Sequence, residues 1–129
     1  MISLALSTSL AAALSFGSAQ LTIDGETTTH EIAACAMKAE GSMPARLLIE
    51  ETDLTLNLVR ADHMQSISVI RNNQNWTASR LMIGESWMDK GQPSEPIIID
   101  WGESIRVEAL LSSIHGAHDK VMKLTAKCD

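Results

Sequence analysis

Two cysteines, Cys35 and Cys128, stand near the opening and at the penultimate position of the 129-residue chain, and they limit what it can fold into. In an oxidising compartment an even pair reads first as a disulfide. Such a bridge would close nearly the whole domain. For a loop of about 100 residues the chain-entropy gain is roughly 4–5 kcal/mol before strain is deducted. The competing reading is two buried free thiols in a reducing compartment.

The compartment can be read from the first nineteen residues. Met1 to Ala19 carries no charged side chain, and Leu4, Leu6, Leu10, Ala11, Ala12, Ala13, Leu14 and Phe16 make a broken apolar run. Gly17-Ser18-Ala19 then places small residues at −3 and −1 of a cut between Ala19 and Gln20. This is the layout of a secretory signal peptide over 1–19, leaving a single β-rich domain over 20–129. No Lys or Arg precedes the run, which fits a start internal to a longer chain. The alternative is an amphipathic or buried N-terminal helix. The stretch is too short and too rich in Ser and Thr to predict a membrane span. The expected location is therefore periplasmic or secreted, with no stable span in the mature chain.

Period-two alternation fills most of that domain. Leu54, Leu56 and Leu58 oppose Thr55 and Asn57; Ile67 and Val69 oppose Ser66 and Ser68. Ile105, Val107, Ala109 and Leu111 oppose Arg106 and Glu108. Met122, Leu124, Ala126 and Cys128 oppose Lys123, Thr125 and Lys127, so the Cys128 sulfur is expected to face the core. These are half-buried strands of antiparallel sheets. Leu21–Ile23, 46–50 and 76–83 add shorter or less regular strands. The run Pro96–Trp101 predicts a strand buried on both faces. Residues 30–40 are ambiguous between helix and strand, and the β-rich neighbours favour strand. Asp24-Gly25, 72–75, 84–86, 91–93 and His115-Gly116 read as turns. The expected fold is all-β: an antiparallel sandwich or open barrel of about seven to eight strands, with one disulfide.

The Leu21-Thr22-Ile23-Asp24-Gly25 opening, then Cys35, alternating strands, and a last strand ending at Cys128 resemble the mycobacterial lipoprotein-antigen family. The resemblance spans about residues 20–129. It implies an exported envelope protein with two bracketing cysteines and no catalytic residues to carry over. The chain departs from that pattern in lacking a lipidation cysteine and in being poorer in Gly and richer in Met.

Composition excludes several activities. With 45% hydrophobic and 20% charged residues the chain is globular, and a net charge of −6 disfavours nucleic acid. No Gly-x-Ser-x-Gly elbow, phosphate-cradling loop or paired-carboxylate cleft is visible, so no enzyme and no cofactor are expected. A hydrolase assembled from His63 or His115 with a distant Ser is the residual catalytic reading.

Two kinds of ligand site stay open. His63-Met64 and His115-Gly116-Ala117-His118 supply imidazole and thioether, which would suit copper in an exported protein. The simpler reading makes His115 and His118 exposed turn residues and the methionines core filler. Trp76, Trp87 and Trp101 would form a glycan platform if they shared an exposed face. The simpler reading buries Trp76 and Trp101 and leaves Trp87 exposed. The leading expectation is a noncatalytic exported structural or interaction module with an unidentified envelope or extracellular partner. A small-ligand module for copper or glycan is the alternative.

Overall fold

A computed structural model describes residues 16–129, which form an all-β molecule without a helix. The apolar run from Leu4 to Leu14 lies outside the described residues. Twelve strands are present: β1 (Gly17–Ile23), β2 (Glu26–Glu31), β3 (Ala34–Ala36), β4 (Ala45–Glu50), β5 (Leu54–Ala61), β6 (Met64–Arg71), β7 (Gln74–Ile83), β8 (Ser86–Asp89), β9 (Gln92–Pro93), β10 (Ile98–Trp101), β11 (Ile105–Ser113) and β12 (Lys120–Cys128). Nine of them follow one antiparallel path, β2-β1-β12-β11-β7-β6-β5-β4-β3, curled into a half-barrel. The architecture is one bent sheet rather than two stacked layers, and the strand number exceeds the seven or eight expected. The excess comes from short or polar strands. β2 carries Thr27, Thr28 and Thr29, with only His30 buried, so it lacks the apolar alternation that marks the others.

The concave face is the core. Leu47 and Ile49 of β4, Leu54, Leu56 and Leu58 of β5, and Ile67 and Val69 of β6 are all sealed from solvent. Ile105, Val107 and Leu111 of β11 and Met122, Leu124 and Ala126 of β12 face them across the bend. The alternation read from sequence is thus the inside–outside alternation of a single curved sheet. Hairpin turns fall where the sequence places them. Asp24-Gly25 and Asn72-Asn73 have positive φ at both residues, as tight two-residue hairpins require.

Two expectations about strands need correction or refinement. Residues 97–101 are not buried on both faces. β10 pairs only with β11, and its register shifts between Ile98 and Asp100, which turns Ile99 outward to 42% exposure. In the 30–40 segment the chain is extended and not helical. β2 ends at Glu31, fully buried Ile32 crosses the gap, and β3 pairs with β4 from Ala34 to Ala36.

That gap is the open seam of the half-barrel, because β2 and β3 are the two ends of the path. Three contacts hold it. Ala33 N–H donates to Leu48 O at 2.8 Å. The buried His30 ring donates from Nδ1 to Glu51 Oε1 at 2.7 Å, while its Nε2 lies 2.6 Å from Thr28 Oγ1. Cys35 of β3 is disulfide-bonded to Cys128 of β12, the third strand from the opposite end. Cys128 shares the inward parity of Met122 and Leu124, as expected.

Ala19 and Gln20, which flank the expected cut, both lie in β1. Ala19 is buried and opposes Ala126 and His30; Gln20 opposes Thr125 and Thr29. Gly17 opposes Cys128, and a Cβ there would collide with the Lys127 carbonyl oxygen, so only glycine fits.

Two measurements check the seam. Without reductant, alkylation under denaturing conditions labels neither cysteine, and Cys128→Ser lowers unfolding stability by several kcal/mol, at most about 4–5 on the loop-entropy argument. Glu51→Ala strands the buried His30 ring and costs about 1–3 kcal/mol in a urea titration.

Candidate functional site

The half-barrel has two ends, set by the direction of β6. One end carries the β6–β7 turn at Asn72-Asn73, the other the β5–β6 turn at Asp62-His63. Across the eight residues of β6 these turns are about 23 Å apart at ~3.3 Å per residue.

At the Asn72 end a cavity of about 370 Å³ opens between the strand ends. This lies in the size range of small-molecule sites. Its floor is Ile23, Val69, Trp76 and Leu111, the last inward residues of β1, β6, β7 and β11. Its rim is Arg71, Asn72, Gln74, Ala117, His118 and Lys120. Opposed pairing holds the floor in register: Trp76 faces Val69 on one side and Ser113 on the other.

Two features distinguish this cavity from a packing gap. Trp76 is only 7% exposed, and its indole Nε1 is buried without a hydrogen-bond partner. Leaving such a donor unsatisfied costs about 1–3 kcal/mol. The charges lining the rim are basic, and no Asp or Glu lines it among the described residues. Lys120 Nζ sits 5.0 Å from the Trp76 ring centroid and 3.6 Å from Asp24 Oδ2. Asp24 Oδ1 also accepts from Val121 N–H, which fixes the carboxylate beside the lysine.

The candidates read from sequence are dispersed. His118 lines this cavity, and His115 is exposed in the β11–β12 turn, its backbone N–H donating to Ser113 Oγ. His63 and Met64 lie at the other end, in a second pocket of about 480 Å³. The two histidine pairs therefore do not share one ion. Among the described residues no three His, Cys, Asp or Glu side chains gather as a metal site.

The tryptophans form no shared exposed platform. Trp87 opposes Met82, six residues beyond Trp76 on β7, about 20 Å away at ~3.3 Å per residue. Its ring lies 4.1 Å beneath the Arg80 guanidinium. Trp101 donates from Nε1 to Met37 O at 2.8 Å, with Arg60 6.0 Å above its ring. Each indole is covered by a different cation, which leaves no common stacking platform.

Sequence reading passed over one buried polar pair. β11 pairs with β7 only at Ser112 and Ser113, and with β10 near its start, so β7 and β10 are not hydrogen-bonded to each other. Gln65 fills the split. Its Oε1 accepts from Arg80 Nε at 2.8 Å and from Ile98 N–H at 3.4 Å. Burial lowers the Arg80 pKa from its ordinary value, yet an arginine stays cationic across working pH. The signal was available in parity, since Gln65 precedes Ile67 and Val69 on the inward face.

No family model matches the chain, and no curated protein or solved structure matches it. Gln65→Ala leaves Arg80 Nε and the Ile98 N–H unpaired and is expected to cost about 1–3 kcal/mol, read from urea unfolding.

Proposed function

We propose that this protein is an exported, noncatalytic binding module whose cavity at the Asn72 end takes a small ligand with an apolar body and an anionic head. The observation that carries this is an apolar floor of Ile23, Val69, Trp76 and Leu111 beneath a rim whose charged residues are basic. Sites for small molecules are mostly apolar with a few convergent polar groups, and this lining has that composition. A carboxylate head offers a charge for Arg71 and Lys120 at the rim, while the body rests on the apolar floor. At about 4 Å one such ion pair contributes on the order of 1–4 kcal/mol, depending on effective dielectric. Asp24 screens Lys120 on its outer side, which makes Arg71 the less compensated cation.

Export and the noncatalytic character rest on the sequence. They follow from the uncharged 1–19 stretch with its small-residue exit, the resemblance to the mycobacterial lipoprotein antigens, and a disulfide of the kind that persists outside the reducing cytosol. A cut before Gln20 removes Gly17–Ala19 from β1, so N-terminal sequencing of protein recovered outside the cytoplasm is the decisive check: Gln20 first supports the signal-peptide reading, and an N-terminus that retains Gly17–Ala19 removes that cleavage site.

Decanoate is a suitable probe, followed by Trp76 fluorescence in a Trp87→Phe, Trp101→Phe background. Saturable binding at or below about 100 µM is expected, a modest affinity for a chain of ten carbons. Arg71→Gln should weaken it about tenfold, equivalent to 1.4 kcal/mol, and added salt should weaken it further. Decanol, with the same body and no charge, should bind less tightly. Equal affinity for decanol, or no saturation with decanoate up to ~1 mM, rejects the anionic-head reading.

A further inference from the structure

The outer face of the bent sheet changes character between its middle and β11–β12. On β5 and β6 the outward residues include Thr55, Asn57, Ser66 and Ser68, the polar covering an antiparallel sheet carries where it meets water. On β11 and β12 the outward residues Leu110 and Val121 are direct cross-strand partners, 59% and 56% exposed. Pro96 and Ile99 border the same shallow hollow of about 360 Å³, which extends the apolar patch toward β10. We infer that this face binds a second copy of the chain, with a two-fold axis parallel to β11 and β12.

A lone exposed Leu or Val is ordinary, whereas a contiguous apolar patch with a polar rim marks an interaction surface. The rim here is ordered by strand register. One step along the pair from Leu110 and Val121, Glu108 opposes Lys123. The next outward step pairs Arg106 with Thr125. All four of these side chains are exposed.

These rows select the occupant, because an isologous contact must be complementary to itself. A two-fold axis along the strands lays β11 of one copy over β12 of the other at the same level. Leu110 then meets Val121 of the second copy, and Glu108 meets its Lys123, each contact being made twice. Arg106 falls on Thr125, so these rows bring no like charges together. Within one copy Glu108 reaches Arg106 only at 4.0 Å with both side chains half exposed, which leaves its carboxylate open to a second cation.

The size of the face sets the strength. β11 and β12 pair through seven residues each, about 23 Å at ~3.3 Å per residue. With the flanking strands β10 and β1 the face is about 19 Å wide at ~4.8 Å per strand. Its convexity confines contact to at most about 450 Å² per copy, the low end of specific interfaces. The dimer is therefore weak, with a Kd of about 10–100 µM. The inference does not rest on the ligand cavity, whose floor belongs to the concave side.

Sedimentation equilibrium of the disulfide-closed protein over about 5–500 µM tests it, and a monomer–dimer equilibrium is expected. Lys123→Glu sets a carboxylate against Glu108 of the second copy and should weaken association about tenfold. Adding Glu108→Lys to that variant should restore the parent Kd. Leu110→Asp should abolish dimerisation, while Ile70→Asp, at an exposed apolar residue of β6, should leave it unchanged. All these positions are outward, and an unchanged urea midpoint checks that each variant is folded. A monomer throughout, a dimer that survives Leu110→Asp, equal loss with Ile70→Asp, or no rescue by the charge exchange would overturn the inference. The decanoate titration can succeed or fail independently of all four outcomes.

Discussion

A single sheet bent until its two ends approach leaves a seam, and this fold depends on how that seam is held. β2 and β3 are sheet ends, adjacent in sequence but on opposite lips of the gap. Strand pairing alone does not close it, since β2 pairs only with β1 and β3 only with β4, and the linking residues add Ile32 N–H to Gly17 O and Ala33 N–H to Leu48 O. Ile32 fills the gap with apolar bulk, His30 and Glu51 clasp across it, and the Cys35–Cys128 bridge ties one lip to the strand beyond β1. With few aromatic side chains, the interior is made of Leu, Ile, Val and Ala, which fill space closely only if the curvature is kept. The bridge and the clasp keep it.

Much of this was legible because the physics is periodic. Alternation along 54–58, 66–70, 105–111 and 122–128 named the inward residues correctly, and Cys128 fell on the right face for the same reason. Asp24-Gly25 and Asn72-Asn73 were readable as turns because both need left-handed backbone, which Gly and Asn tolerate. What was not legible lacks periodicity. β2 is a run of threonines stabilised by its place between β1 and the clasp, and no local pattern announces it. At β10 the run Ile97-Ile98-Ile99 hides a bulge that begins after Ile98. The choice between one curled layer and two stacked layers depends on which strands meet across the bend, and alternation is identical in both.

Sites were harder to read than strands, because their members are near in space and far in sequence. His63 and Met64 stood out as neighbours, but the other histidine candidate of a pocket, His118, lies at the opposite end of the half-barrel. Trp76 looked like a core residue, and by burial it is one. Its significance lies in an indole nitrogen that finds no partner, which no spacing rule reports. Arg80 and Gln65 could have been found by asking why polar residues hold inward parity. The answer required knowing that β11 is shared between β7 and β10.

The two ends of the half-barrel follow from one geometric fact. Strands of unequal length meet at both rims, so inward side chains there line space rather than pack against a facing layer. At the Asn72 rim the last inward residues are apolar, with Arg71, His118 and Lys120 above them. At the Asp62 rim the last inward residue of β6 is Gln65, and Met64 beside it faces outward with Leu81. A chain of net charge −6 that places its cations over an apolar cavity has separated charge against its own average, and that local field favours an anion even though the molecule as a whole repels one. The same field does not reach the other rim, since about 23 Å exceeds two Debye lengths at physiological salt.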